Sequence, residues 1–263
     1  MRSGESLAGV SSRAIEALTS AARSERTDAS MEQSSGYQYS RVHRALEISA
    51  IAALPVMIGF MILKASRGLD DMSPWVAVQL VGVVFGGYLA ADFISGFVHF
   101  VGDTYGDEST PVFGPNFIKP FRDHHTDPTG ICRHDFVEVN GNNSVVCLPV
   151  GLSAYFGLPA DTHHLSALAL LTLCSMMVWV FMTNQFHKWA HAESPPRLVK
   201  KLQAWNLVLP PEHHDVHHRA PHDKYYCITV GWLNPVLYHL RFFEAVQVVV
   251  ARLLPKRPST AGD

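Results

Sequence analysis

The sequence has little charge and little cysteine. Asp, Glu, Lys and Arg make up 17% of its 263 residues, whereas an ordinary soluble domain has roughly 25%. The formal net charge is only -2, so nothing in the charge balance favours a nucleic-acid partner. The four cysteines form no CxxC pair, which argues against a zinc ribbon and against a disulfide framework.

Long apolar blocks are present instead. Hydrophobic residues make up 48% of the chain, and a bilayer crossing needs about 20 consecutive, mainly apolar residues. Four blocks approach that length, at residues 45–63, 75–100, 145–160 and 165–183. The third block is short enough to be a re-entrant segment. A less strongly apolar stretch at 227–254, which contains charged residues, predicts an interfacial or packed helix. The predicted fold class is therefore all-α integral membrane, with about four transmembrane helices.

The polar ends of the chain predict two tails around one membrane domain. Residues 1–40 are rich in Ser, Ala, Glu and Arg and lack apolar periodicity, which predicts a disordered N-terminal tail. They contain no apolar core followed by a cleavage site, so they do not resemble a secretory signal peptide. Residues 41–254 are predicted to form the membrane domain, and residues 255–263 a C-terminal tail.

Positive charge predicts the orientation of the membrane domain. Lys and Arg lie before the first block and after the fourth, at Arg41, Arg44, Lys188, Arg197, Lys200 and Lys201. Because such residues favour the cytoplasmic side, both termini are predicted to be cytoplasmic. Four crossings then place residues 101–144 and everything after residue 184 on that side, as a histidine-rich helical cap. His163 and His164 fall on the opposite side.

Histidine is the most unusual component, because its 15 residues gather in clusters. His187 and His191 are one helical turn apart, so their imidazoles would share a helix face, although such a pair also occurs by chance. Residues 213–218, His-His-Asp-Val-His-His, contain two interleaved pairs with this spacing. An exposed polar turn is the alternative for that stretch. His124 and His125 form a third cluster, and together the clusters predict a metal site.

Two aspartates and one histidine in or just after the second apolar block are spaced so that they lie on the same helix face. Asp92, His99 and Asp103 are separated by seven and then four residues, which places them along one helix face. An aspartate inside an apolar span is energetically expensive and predicts a functional role by default. A polar contact between helices is the alternative interpretation of Asp92.

The number and type of these residues narrow the metal chemistry. A zinc site takes three or four ligands, so this many imidazoles are too many for one zinc ion. HKWAH at 187–191 lacks the glutamate of HExxH zinc proteases, and the chain contains no Glu-x-x-His, the pattern of soluble di-iron bundles. A haem held between membrane helices would need histidine pairs inside the apolar blocks. The histidine clusters lie at the edges of those blocks instead, which argues against a haem site. Two irons held mainly by imidazole fit the number and the one-sided placement, and such a site at a bilayer surface implies a lipid chain as substrate.

Several longer stretches resemble one family of membrane enzymes. HxxxH followed by HxxHH is similar to membrane desaturases and hydroxylases in general. More specific are DFISGFVH (92–99), PFRDHHTDP (120–128), RHDF (133–136), NGN (140–142), TNQFHKWAH (183–191), LPPEHHDVHH (209–218) and APHDKYYCITVGWLN (220–234). They resemble the lipid desaturase family of plasmanylethanolamine desaturases, the Kua or CarF group, and its bacterial members above all. The resemblance covers roughly residues 45–245.

The resemblance implies an enzyme that introduces the vinyl-ether double bond into the 1-O-alkyl chain of an ethanolamine ether phospholipid. Two iron ions, dioxygen as co-substrate and two external electrons are implied with it. The catalytic iron ligands carried over are His99, His124, His125, His187, His191, His214, His217 and His218. Residues expected to support the irons or to act as substitute ligands are Asp92, Asp103, His134, Asn140, His213 and His222. The first cluster departs from the general pattern, because it lacks the leading histidine of HxxxH.

The chain contains no GxGxxG fingerprint for a flavin or nicotinamide. We therefore expect the electrons to come from a separate donor protein, cytochrome b5-like or ferredoxin-like, with its reductase. We expect a multi-pass protein of a bacterial inner membrane. Two alternatives stay open: a lipid hydroxylase or fatty-acyl desaturase with the same iron site, and a non-catalytic membrane metal-binding protein.

Overall fold

The computed structural model describes residues 40–69, 73–111 and 114–253. All regular structure within these ranges is helical, so the all-α prediction is confirmed. The helices in chain order are α1 (Arg41–Ser66), α2 (Pro74–Thr104), α3 (Lys119–Thr126), α4 (Phe136–Gly157), α5 (His164–His191), α6 (Arg197–Ala204), α7 (Pro211–Asp215), α8 (Leu233–His239) and α9 (Phe242–Leu253). The predicted tails, 1–40 and 255–263, lie outside the described residues apart from Ser40.

Polar caps start the long helices earlier than the apolar blocks begin. Ser40 and Ser73 each accept the amide hydrogen of the residue three positions on, at 3.0 and 3.3 Å. Before α4, Asp135 accepts the amide hydrogen of Glu138 at 3.0 Å, and the Glu138 carboxylate accepts that of Asp135 at 2.9 Å. This capping box starts the helix at Phe136. The predicted start of the third block at residue 145 is therefore too late, because hydropathy alone misses polar first turns.

Three of the described helices, α1, α2 and α5, are long and apolar enough to cross a membrane. The helix α4 is not among them. Its 22 residues would extend about 33 Å at a rise of about 1.5 Å per residue. The helical lengths agree with the predicted membrane class, and the count of four crossings stays a prediction.

The membrane helices pack around a continuous apolar core. Leu54 and Met61 of α1 meet Leu170 and Met177 of α5 in one buried cluster, which also includes Cys147 of α4. These side chains are nearly inaccessible to solvent. Because close van der Waals packing stabilises contacts between membrane helices, this core fixes α1, α4 and α5 relative to one another.

Two glycines in α2 allow other segments to approach its backbone. A Cβ atom at Gly87 would lie 2.4 Å from the Ser175 side chain of α5. A Cβ atom at Gly96 would lie 2.4 Å from the Cys227 sulfur. The segment before α8 therefore rests directly on α2.

The stretch 227–254 contains two short helices, α8 and α9, followed by a residue outside the described ranges. Leu237 of α8 and Phe243 of α9 share a buried cluster with Phe100 of α2. The packed-helix interpretation of this stretch is therefore confirmed.

The buried carboxylate of Asp92 ties the segment before α8 to α2. Its Oδ1 accepts the amide hydrogens of Val230 at 2.9 Å and Gly231 at 2.8 Å, and its Oδ2 accepts that of Leu233 at 3.1 Å. Gly231 has a φ of +80°, and a Cβ there would lie 2.6 Å from the His213 ring. The polar-contact interpretation of Asp92 thus agrees with the structure, which occupies both carboxylate oxygens with backbone amides.

Replacing Asp92 with Ala should destabilise the folded protein. Three buried amides would lose a charged acceptor, and leaving buried donors unpaired lowers the free energy of unfolding by on the order of 3 kcal/mol. Asp92→Asn is the matched variant, because its amide oxygen can still serve two of the three donors, so its loss should be smaller. Thermal unfolding of the purified protein in detergent measures both. An unchanged melting temperature in Asp92→Ala would contradict this role.

Candidate metal centre

Four helices and one turn bring histidines to a single place. His99 comes from the last turns of α2, His124 and His125 from α3, and His187 and His191 from the end of α5. The remaining three come from α7 and the turn that follows it: His214, His217 and His218. All eight predicted iron ligands therefore meet, although they are spread over 120 residues of sequence.

The imidazoles form two overlapping groups, each able to hold a metal ion. The first group contains His124, His187, His191, His214 and His218, and the second contains His99, His124, His125 and His217. Within each group the ligating nitrogens all lie within 4.8 Å of one another. His124 belongs to both groups, and both of its ring nitrogens are buried without a hydrogen-bond partner among the described residues.

Short distances join neighbouring nitrogens of the first group. The Nε2 atom of His191 lies 3.1 Å from that of His187 and 3.0 Å from that of His214. The Nε2 atoms of His214 and His218 are 3.1 Å apart. The nitrogens thus point at one another rather than away, which is the arrangement that ligands take around a shared cation.

Backbone carbonyls orient two imidazoles of the second group. Nδ1 of His99 donates to the carbonyl of Tyr226 at 3.2 Å, and Nδ1 of His217 donates to that of Lys224 at 2.8 Å. An Nδ1 hydrogen leaves the Nε2 lone pair free, and hydrogen bonds of this kind fix the tautomer of metal-binding histidines. The Nε2 atom of His217 faces that of His125 at 3.0 Å.

Burial keeps three imidazoles outside the membrane helices neutral, those of His124, His214 and His218. Loss of solvent lowers the pKa of His124 and of His214 well below 6.5, and neighbouring imidazoles lower it further. The pKa of His218 falls to about 3 for the same two reasons. Neutral imidazole is the form that binds metals, so the donor set fits metal cations held mainly by nitrogen.

Two supporting residues predicted from the sequence lie near the groups but outside both. His213 makes a contact of 3.1 Å between its Nε2 and Nδ2 of Asn234. His222 donates from Nδ1 to the carbonyl of His217 at 3.1 Å, and its ring stacks on that of His125 with centroids 4.3 Å apart. His213 therefore contacts α8, and His222 packs against two imidazoles of the second group.

Two other predicted supporting residues lie on α4 or just before it. The His134 ring is exposed, with its Nδ1 3.3 Å from the Glu138 carboxylate. Asn140 is buried, and its Nδ2 donates to the carbonyl of Phe136 at 2.9 Å and to Gln185 at 3.3 Å. Neither belongs to a metal-binding group.

His164 lies at the opposite end of α5 from the metal groups. The 23 residues that separate it from His187 correspond to roughly 35 Å of helix. Its Nε2 instead lies 2.9 Å from Oε1 of Gln79 on α2. The predicted separation of this pair from the other clusters is therefore confirmed.

A cavity of about 420 Å³ adjoins the first group. His191 and His214 form part of its wall, and Glu212, Asp215 and Arg219 make the rest strongly polar. The centre can therefore be approached from a polar side as well as from the apolar helices.

Four residues that hold side chains of the centre were not predicted from the sequence. Tyr226 and Lys224 act through backbone carbonyls, which no residue type reveals. Gln185 and Asn234 hold two of the predicted supporting side chains. For Gln185 a signal was available, because it is a polar residue at the end of an apolar block and two positions before His187.

Comparisons with known proteins agree with this geometry. The lipid desaturase domain family matches residues 88–261. The chain is 46% identical over 228 residues to plasmanylethanolamine desaturase of Myxococcus xanthus, covering 86% of this chain and 79% of that protein. It is 41% identical over 194 residues to plasmanylethanolamine desaturase 1 of Mus musculus, covering 71% of each. It is 36% identical to chloroplastic fatty acid desaturase 4 of Arabidopsis thaliana, covering 68% of this chain and 54% of that protein. No solved structure matches the chain.

Adjacent histidines of residues 213–218 should respond differently to the same substitution. His214→Ala removes a nitrogen from the first group and should lower the metal content of the purified protein. His213→Ala removes a side chain outside both groups and should leave the metal content unchanged. Elemental analysis of protein purified to equal homogeneity measures the difference. Equal metal content in the two variants would contradict the grouping.

Proposed function

The chain belongs to the lipid desaturase family, and we propose that it is a plasmanylethanolamine desaturase that forms the vinyl-ether double bond of plasmalogens. The observation that carries this proposal is the convergence of eight imidazoles beside the ends of two apolar helices, α2 and α5. The names of the relatives in Myxococcus and mouse support the substrate class. The substrate proposed is a 1-O-alkyl ethanolamine phospholipid of the surrounding bilayer.

We propose that the two histidine groups hold two iron ions. The ligands are the eight residues of the two groups: His99, His124, His125, His187, His191, His214, His217 and His218. With two irons bound, the site can use dioxygen and two external electrons to remove hydrogen from C1 and C2 of the alkyl chain.

The chain's own residues supply position and enclosure. His99, His214 and His217 are almost completely buried, so bulk water is kept from the centre of the site. The carbonyls of Tyr226 and Lys224 hold two imidazoles with their lone pairs inward. The apolar faces of α1, α2 and α5 provide surroundings suited to an alkyl chain. No protein nucleophile is needed.

We also propose the domain bounds, the membrane location and the electron donor of the protein. Residues 41–254 form the desaturase domain, between tails at 1–40 and 255–263. The domain crosses a bacterial inner membrane four times, with both termini and the histidine-rich cap in the cytoplasm. A separate cytochrome b5-like or ferredoxin-like protein with its reductase supplies the electrons. The polar cavity beside His191 and His214 suits the approach of such a donor.

Expression in a host that contains only alkyl-ether lipid tests the reaction directly. We expect acid-labile vinyl-ether lipid to appear, as measured by mass spectrometry of the lipid extract. A hydroxylated ether chain or an unsaturated acyl chain without vinyl ether would instead favour the alternative oxygenase reactions. Unchanged lipids, with a suitable electron donor present, would contradict an enzymatic role.

The chain contains its own control for this experiment. His217→Ala removes a buried imidazole of the second group and should abolish the product. The double substitution of His163 and His164 with Ala lies at the far end of α5 and should leave product formation largely intact, because neither side chain reaches the metal groups; loss of the contact between His164 and Gln79 should lower stability by only about 1 kcal/mol. Immunoblots must show equal protein levels. Full activity in His217→Ala would overturn the ligand assignment.

The proposed orientation is tested by a reporter fused after residue 263. Four crossings and the bias of Lys and Arg towards the ends predict a cytoplasmic signal from this fusion. A matched fusion between α4 and α5, at residue 161, should report the opposite side. A periplasmic signal from the C-terminal fusion would show that α4 does not cross.

A further inference from the structure

The carboxylate of Asp103 lies against three imidazoles of the second histidine group. Asp103 is one helical turn after His99 on α2, and its side chain is only 8% exposed. Its Oδ2 atom lies 3.4 Å from Nε2 of His99 and 3.5 Å from Nε2 of both His125 and His217. Neither carboxylate oxygen has a hydrogen-bond partner among the described residues. A buried carboxylate without a partner is strongly unfavourable.

Two of the three neighbouring imidazoles do not relieve this burial. Nδ1 of His99 and Nδ1 of His217 donate their hydrogens to backbone carbonyls, so each Nε2 presents a lone pair towards Asp103. The Nε2 atom of His99 also has no hydrogen-bond partner among the described residues. Lone pairs and an anionic oxygen repel one another at these distances. A cation placed among them turns the repulsion into attraction.

The distances agree with ligands around one metal ion. Bonds of about 2.1 Å place adjacent ligand atoms about 3.0 Å apart at right angles and about 3.4 Å apart in a tetrahedron. The nitrogens of His125 and His217 are 3.0 Å apart, and the Asp103 oxygen is 3.4 to 3.5 Å from three nitrogens. The carboxylate oxygen therefore occupies a ligand position of the second group.

We propose that Asp103 is a metal ligand, which binds one of the two metal ions together with His99, His125 and His217. This inference rests on the proposed metal-dependent function and deepens it. The two metals are then inequivalent, because the first group offers imidazole alone and the second adds an anionic oxygen. A carboxylate lowers the net charge of its site and favours the harder, more oxidised state of a bound iron.

The test compares Asp103→Asn with Asp107→Asn. The amide of Asn has the size of the carboxylate but no negative charge, so it is a much weaker ligand. Asp107 is an exposed aspartate four residues further on, whose Oδ1 accepts hydrogen bonds from Ser109, and it is the matched control. Iron content and Mössbauer spectra of protein grown on ⁵⁷Fe are the two readouts.

We expect two irons and two distinct quadrupole doublets in the wild-type protein and in Asp107→Asn. Asp103→Asn should hold about one iron and lose one doublet, and Asp103→Glu should regain part of the second iron because it restores a carboxylate. Two irons with the wild-type spectrum in Asp103→Asn would overturn the inference while leaving the proposed function intact.

Two further outcomes are also decisive. If Asp103→Asn does not accumulate as folded protein, Asp103→Glu decides: a change confined to one quadrupole doublet supports the inference, and a spectrum identical to that of the wild-type protein overturns it. A wild-type protein that binds no iron under iron-replete growth would overturn the proposed function, and the inference with it.

Discussion

The structure is organised around electron-rich atoms that face one another in a buried place. Nitrogen atoms of the two histidine groups converge at distances near 3 Å, and each neutral imidazole has only one N–H with which to satisfy its several neighbours. Such a cluster is tolerable only if the scaffold holds it against repulsion or a cation binds within it. The rest of the fold can be understood as the means of keeping these atoms together.

The scaffold achieves this with contacts that are themselves buried and polar. Asp92 fastens the segment before α8 to α2 through backbone amides, and Gly96 lets the same segment lie against the helix. The carbonyls of Tyr226 and Lys224, which belong to that segment, then set the orientation of His99 and His217. An aspartate at some distance from the metal groups is thus connected to them through the backbone.

Much of this arrangement could be predicted from the sequence, and the reasons for success and failure are physical. The i,i+4 spacing of His187 and His191 is a local property of a helix, so one face could be inferred directly. Clustering drew attention to the pair at 124–125 and helix spacing to His99, whereas the resemblance to the lipid desaturase family supplied their assignment as iron ligands. The grouping of histidines and the pairing of a single Asp103 oxygen with three nitrogens depend on contacts between distant segments. The start of α4 was missed because capping by Asp135 is polar, whereas the block was defined by apolar residues.

The continuous helix α5 sets how far the metal centre lies from the opposite end of the helix. A single 28-residue helix begins at His164 and ends at His191, so the site is held at a fixed height above the far surface of the membrane. In the proposed substrate, C1 and C2 of the alkyl chain adjoin the ether oxygen and therefore sit at the boundary between hydrocarbon and head groups. In the proposed orientation that boundary is also where α5 delivers its two histidines. With the proposed substrate and orientation, selection of the first two carbons would follow from the vertical register between α5 and the lipid leaflet, and bilayer thickness would influence where along the chain the enzyme acts.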